Sequence, residues 1–491
     1  FSNLHLTHQL QKLLPMETRL EILRQFKKAF TKHRPSLQEA LWKDLHKSRD
    51  QSNICELLGV EHEIDYFIGN LKKLMQKRRE PLTVQSMNSS VYCQAEPLGP
   101  TAIITPFNFP VLLSLSPLLG CIAAGNPACV KYSSSTPHIR NAVIQLFKDA
   151  CLVRDQYFVY EGSNDFLMSQ KFALIVFTGS TQTGRQIYQK AAQSLTKCVL
   201  ELGGCNPCLV DETANFKLVS DQLIQTRFTN AGQVCISPNY IVFAGSEANY
   251  KKFTAAFAKQ LGVFKSYEHL VKVITKEKYD ELTSMLKDQK IITMVYENQQ
   301  LHTFDEQLLL KQRESQLFPP TLYETDFRDE NLLTEIFGPI LPIVHVNSAE
   351  EFFSFYSQSY TGQTKPLSSY LYSSDKQLVE RFKRQVSAGS VNINTSIVYM
   401  NSSLPFGGVG ESGLGCYHGK YSFEQFSHFK PITCAGNGVA SQAVNQFINL
   451  AAKAPYKLKV GSFVNKVITT PIKVDFKLVL IAVLCVALMM K

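Results

Sequence analysis

The sequence predicts an α/β protein made of two domains with parallel sheets, joined near Glu201. Three observations point there. Short apolar strands alternate with helical stretches, once before Glu201 and again after it. A chain of 491 residues is too long for one hydrophobic core. A composition 45% hydrophobic and 19% charged is that of a globular chain, not a disordered one.

Residues 9–80 carry helical periodicity rich in Lys, Arg and Glu, expected to break at Pro35 and end at Pro81. Val91–Ala95 and Thr101–Thr105 read as short strands. Val111–Ala124, apolar with small residues, suits a buried helix. Ala128–Lys131 reads as a strand, Asn141–Cys151 as a helix and Phe172–Phe177 as a buried strand. A glycine turn over Thr178–Arg185 leads to a helix at Gln186–Gln193. After Glu201, strands at Ile241–Ala244, Leu341–Val346 and Ser368–Tyr372 continue the alternation.

The net charge is +10, of which the seven Lys and one Asp from Lys453 onward supply +6. The body is near balance, which argues against a nucleic-acid enzyme with a basic stripe on its fold. The basic excess beside an apolar tail points to an anionic membrane surface. Twelve cysteines lie at irregular spacings, as expected of reduced thiols on the cytosolic side. Cys205 and Cys208 form a lone C-x-x-C within an expected turn. Without a second half it makes no zinc site, and two ordinary buried thiols is the better reading. No metal is expected. No signal peptide is visible at the start, and because the chain opens on Phe1 a preceding piece is expected.

Three clusters carry chemistry. In Thr178–Arg185, glycines and a following helix N-terminus suit a phosphate, although a tight strand-to-helix turn explains them equally well. In Asn230-Ala231-Gly232-Gln233-Val234-Cys235, small residues free the backbone around a thiol. Most cysteines are core, but Cys235 has company: Glu201 at a strand end in Leu200–Gly204, and Asn108 between two prolines and two aromatics in Thr105–Pro110. Taken alone, Glu201 would be a solvated end and Asn108 a turn former.

Together these segments resemble the aldehyde dehydrogenase superfamily. TPFNFP, the strand end at Lys131, FTGSTQTGR, LELGG, NAGQVC, Glu335–Pro339 and Leu404–Gly408 occur in the family's order, across about Pro97 to Lys430. Leu404–His428 is similar to the class 3, fatty-aldehyde-type branch. The resemblance implies two Rossmann-like domains, a small oligomerisation element and a homodimer. It implies Cys235 as nucleophile, Asn108 as oxyanion donor and Glu201 as general base. It implies cofactor contacts at Lys131, Gly179, Ser180, Gly184, Glu335 and Phe337. The cofactor is NAD, with NADP open: Ser134 stands where a carboxylate would repel a 2′-phosphate. Val234 replaces a usual Thr and Cys205 a common Lys, and neither change removes a catalytic group.

The implied boundaries are 1–202 for the dinucleotide domain, with part of the oligomerisation element near 80–96, and 203–397 for the catalytic domain. Residues 398–435 return to the cofactor domain and add an oligomerisation strand. A membrane-proximal helix and basic linker follow at 436–473, then a hydrophobic anchor at 474–491. Leu478–Met490 is an unbroken apolar run, shorter than the roughly twenty residues of a full span. Ala440, Ala443, Val444, Phe447, Ile448 and Ala451 recur at helical spacing ahead of it. These features predict a C-terminal anchor facing the cytosol, in the endoplasmic reticulum before other organelle membranes, and an aliphatic aldehyde substrate of medium to long chain. A small-aldehyde or semialdehyde dehydrogenase and a catalytically silent membrane scaffold are the alternatives. The tail argues against the first, and the joint presence of Cys235, Glu201 and Asn108 against the second.

Overall fold

The structure, a computed structural model, describes residues 14–81, 89–152, 156–264, 270–296, 299–396, 404–435 and 442. Its first long element is a single helix, Met16–Leu45, with Pro35 inside it. The expected break does not occur. Leu23, Phe26 and Phe30 before the proline, and Leu37, Leu41 and Leu45 after it, are all fully buried. Each such side chain contributes about 1.5–3 kcal/mol. The continuous stripe therefore outweighs the roughly 3 kcal/mol that an interior proline costs. The helix stops at His46, which is left-handed at φ 59°. A short helix Arg49–Ser52 then runs into a π-helical turn, Asn53–Leu57, and on into Leu58–Leu74.

Described residues of Phe1–Leu71 and Pro97–Phe426 form one compact unit. It holds two sheets. The six-stranded sheet runs in the order Gly413–Leu414, Lys197–Glu201, Leu174–Thr178, Thr101–Ile104, Ala128–Lys131, Tyr157–Val159. All are parallel except the Gly413–Leu414 edge strand. Leu174–Thr178 is buried throughout, as an interior parallel strand covered on both faces should be. The fully buried helix Leu112–Ala124 crosses between the strands at Thr101 and Ala128.

The eight-stranded sheet runs Gln299–Leu301, Lys290–Tyr296, Thr321–Thr325, Ile340–Val346, Pro238–Ala244, Asn206–Asp211, Ser368–Tyr372, Ser390–Ile393. Lys290–Tyr296 is antiparallel to both neighbours, and the rest pair in parallel. Cys208 lies in the strand Asn206–Asp211, not in the expected turn. Pro207 is tolerated because the register shifts there. Two cores flank this sheet, one on Phe243, Phe253 and Phe257 and one on Tyr240, Phe352 and Phe382.

The second unit comprises described residues of Lys72–Glu96 and Ser427–Lys491. Arg78–Arg79, Ser89–Pro97 and Ser427–Ala435 make a three-stranded sheet there. The apolar run Leu478–Met490 and the Ala440–Ala451 pattern lie outside the described residues, Gln442 apart. Among the described residues, no helix is long and apolar enough to cross a membrane.

Because Pro35 is exposed and its helix continues through it, Pro35→Ala should restore one main-chain hydrogen bond and raise the thermal midpoint, by up to about 3 kcal/mol of stability. A lowered midpoint in a calorimetric scan would show that the proline ring itself is required.

Candidate active site

In open parallel sheets the carboxyl ends of the strands form the natural ligand crevice. Lys131 and Glu201 are the last residues of their strands, Gly179 and Ser180 follow Thr178, and Asn108 lies four residues beyond Ile104. The second sheet supplies the opposite wall: Cys235 precedes the strand Pro238–Ala244, and Glu335 precedes its neighbour Ile340–Val346. Lys131, Ser134, Gly179, Ser180, Asn108, Glu201, Cys235, Glu335 and Phe337 all line one cavity of about 1150 Å³.

Cys235 is held by an unusual turn. Asn230, Ala231 and Gly232 are successively left-handed, with φ of 56°, 53° and 69°. At Gly232 a Cβ would also overlap the carbonyl oxygen of Gly338, so the backbones meet with no room for a side chain. Asn230 Nδ2 donates to the carbonyls of Asn108 and Gln233, each at 3.0 Å. Gln233 Nε2 donates to Asn230 O at 3.1 Å and Lys272 O at 2.9 Å, and its Oε1 accepts from Ile274 N at 3.0 Å. Asn206 Nδ2 donates to the carbonyls of Cys235 and Ser237, at 2.8 and 2.9 Å. Asn108 Nδ2 gives one N–H to Gln233 O at 3.0 Å, which leaves its second N–H for a ligand.

The charges here are set by dryness. Glu201 is 2% exposed, neither carboxylate oxygen has a protein partner, and burial holds its pKa well above the usual carboxyl range. Burial lifts Glu335 to about 7, against the pull of the Gly204 amide that donates to it at 3.3 Å. Gly203 is required for that approach, because a Cβ there would overlap the Glu335 carboxylate. Burial, then the charges of Glu335 and Glu201, push the Cys235 thiol up to about 12, while the Cys235 and Ile236 amides favour the thiolate.

Two expected features differ. The helix after the glycine turn begins at Thr181, because Ser180 Oγ caps it by accepting from Thr183 N at 3.3 Å. Gly184 therefore lies within its first turn, buried against Leu202, and does not line the cavity. Cys205 is half-buried and Cys208 buried; both are free, and burial raises Cys205 to about 12. Residues that the sequence did not single out complete the site. Arg227, 2% exposed, donates to Ile340 O, Gly338 O, Pro238 O and Ser237 Oγ. Lys47 and Glu56 form a fully buried ion pair beneath Asn108. A π-helical turn hides Glu56 from helical periodicity, so no local signal marks it.

The chain matches the Aldehyde dehydrogenase family over residues 7–432. It belongs to that family. It is 32% identical to mouse aldehyde dehydrogenase family 3 member A2 over 442 residues, covering 88% of this chain and 87% of the relative. It is also 32% identical to the dimeric NADP-preferring aldehyde dehydrogenase of Canis lupus familiaris, over 85% of this chain and 90% of the relative. Among solved structures, the substrate-bound state of Staphylococcus aureus AldH is similar at a TM-score of 0.82 and 31% identity, covering 89% of this chain and 94% of that one. The chain is thus an aldehyde-oxidising oxidoreductase dependent on NAD or NADP.

The cavity fits such a dinucleotide. A twelve-residue helix capped by Ser180 opens onto it and offers N–H groups to a pyrophosphate. Lys131, Ser133 and Ser134 supply a cation and hydroxyls at one end.

The raised pKa of Glu335 makes a stability prediction. The folded protein keeps a proton that the unfolded chain releases, so stability falls as pH rises from about 4.5 through about 7. Glu335→Gln should therefore raise the thermal midpoint at pH 8, by at most about 3 kcal/mol, and leave it unchanged near pH 4. An equal effect at both values would remove the buried-charge explanation.

Proposed function

We propose that this enzyme oxidises medium- to long-chain aliphatic aldehydes to carboxylic acids through a covalent intermediate on Cys235. The observation that carries the reading is the convergence of Cys235, Asn108 and the unpartnered Glu201 carboxylate on one cavity. The thiolate attacks the aldehyde carbon. The oxyanion that forms lies between the free N–H of Asn108 and the Cys235 amide, donors aimed at developing charge. The bound dinucleotide supplies the hydride acceptor. Glu201 takes a proton from the water that hydrolyses the resulting thioester. Its dry surroundings raise its basicity and leave both oxygens uncommitted. A silent scaffold would have no use for so costly a carboxylate.

Lys131, Gly179, Ser180, Glu335 and Phe337 contact the cofactor in this reading, and Gly184 sets the packing of the helix behind it. Ser134 presents no carboxylate, and the Arg140 charge reaches Lys131, so a 2′-phosphate is tolerated and NADP serves as well as NAD. The relatives of family 3 and the basic, apolar C-terminus support a homodimer anchored in a cytosol-facing membrane, foremost the endoplasmic reticulum. Long-chain aldehydes partition into such a bilayer, which favours them over small ones.

The test is cofactor reduction with hexadecanal and with acetaldehyde, on the whole chain and on one lacking Leu478–Lys491, in the presence of lipid vesicles. Truncation should lower hexadecanal turnover and release the protein from vesicles while sparing acetaldehyde. Cys235→Ser should abolish both activities. Acetaldehyde preferred by the whole chain, or both activities lost alike on truncation, would overturn the fatty-aldehyde reading.

A further inference from the structure

We propose that Lys47 and Glu56 are positioning residues that aim the oxyanion-binding amide of Asn108; the proposal rests on the role given to Asn108 above. Lys47 Nζ donates to Glu56 Oε1 and to the Asn108 backbone carbonyl, both at 2.6 Å. It also lies 4.3 Å from the centre of the Phe109 ring. The other oxygen of Glu56 accepts from Val111 N at 2.7 Å and Leu112 N at 3.2 Å, at the start of the helix Leu112–Ala124. The pair therefore holds the segment from Asn108 to Leu112 by its carbonyl and by its helix start. Asn108 O accepts a second donor, Asn230 Nδ2, from the turn that carries Cys235. With Asn108 Nδ2 committed to Gln233 O, the direction of its free N–H is fixed relative to the nucleophile.

Two backbone irregularities deliver the pair. Lys47 follows the left-handed His46, and Glu56 lies in the π-helical turn Asn53–Leu57. The extra residue of a π turn rotates the following helix by about 100°, and such turns cluster at functional sites. Lys47 and Glu56 have side chains only 1% and 0% exposed. Two apolar side chains would fill the same space at no greater cost in stability. They could not hold a carbonyl oxygen or two amides. The ion pair is thus retained for what it orients.

The experiment is a double-mutant cycle on the full chain, read as the single-turnover rate of cofactor reduction with saturating aldehyde. The variants are Lys47→Met with Glu56→Leu, Asn108→Ala, and the two sets combined. The apolar pair should slow the reaction about 10- to 100-fold, the loss expected of a misplaced catalytic group. Aldehyde KM and the rate of Cys235 alkylation by iodoacetamide should stay within a few-fold. Asn108→Ala alone should cost about 100-fold or more. In the Asn108→Ala background the apolar pair should cost nothing further, because nothing is left to aim. Equal losses in both backgrounds, or a normal rate in the apolar pair, would overturn the positioning role while leaving that of Asn108 intact. A normal rate in Asn108→Ala would instead overturn the role of Asn108 itself. Glu56→Gln keeps an acceptor for Val111 and Leu112 and loosens only Lys47. It is read in the same cycle should the apolar pair not fold.

Discussion

Arg227 is 2% exposed, and its guanidinium donates to three backbone carbonyls and one hydroxyl. It joins the segment after Cys235, at Ser237 and Pro238, to the segment after Glu335, at Gly338 and Ile340. Burial lowers its pKa to about 9, yet it remains charged at neutral pH. A lone buried cation is costly unless every donor is used. Here the cation is held by the carbonyls of Pro238, Gly338 and Ile340, and so ties the start of the strand after Cys235 to the segment after Glu335. The turn that carries Cys235 departs from regular structure beside this link, at Asn230, Ala231 and Gly232. Gly232 and Gly338 then meet backbone to backbone, with no side chain between them.

That dryness governs the chemistry. Glu201, Glu335 and Cys235 face one cavity, and each finds its charged form opposed by burial. A thiol pushed up to about 12 is a poor nucleophile at rest. The Cys235 and Ile236 amides offset part of this, and a bound cationic ring would offset more. A carboxylate with a raised pKa is in turn a stronger base for activating water. In the proposed reaction the same water exclusion restrains the first step and assists the last. It also lifts Glu335 to about 7 and holds Glu201 above the usual carboxyl range.

The part of the site carried by short local segments was legible in the sequence. Asn108, Glu201 and Cys235 each stand beside glycine, proline or small residues whose backbone demands are visible in one chain. The alternation of strands and helices gave the two sheets. The shortfall was physical in each case. Periodicity weighed Pro35 by its local cost and missed the buried stripe on both sides of it. The glycines of Thr178–Arg185 outweigh, in a local reading, the helix-capping Ser180, so the sequence places Gly184 in the turn whereas the helix packs it against Leu202. The strand Asn206–Asp211 was hidden by its proline. Lys47, Glu56 and Arg227 carry no local signal, because what marks them is burial and partners that only the folded chain brings together, such as Asn108 O, Val111 N, Gly338 O and Ile340 O.

The central claim is that Cys235 carries the acyl group and Glu201 releases it. The most direct measurement is mass spectrometry of the Glu201→Gln protein, quenched in acid after mixing with hexadecanal and NAD. The account predicts one acyl group per chain, in thioester linkage, on the peptide containing Cys235, with no such species in Cys235→Ser. An unmodified Cys235, or an acyl group carried on another of the cysteines, would contradict it.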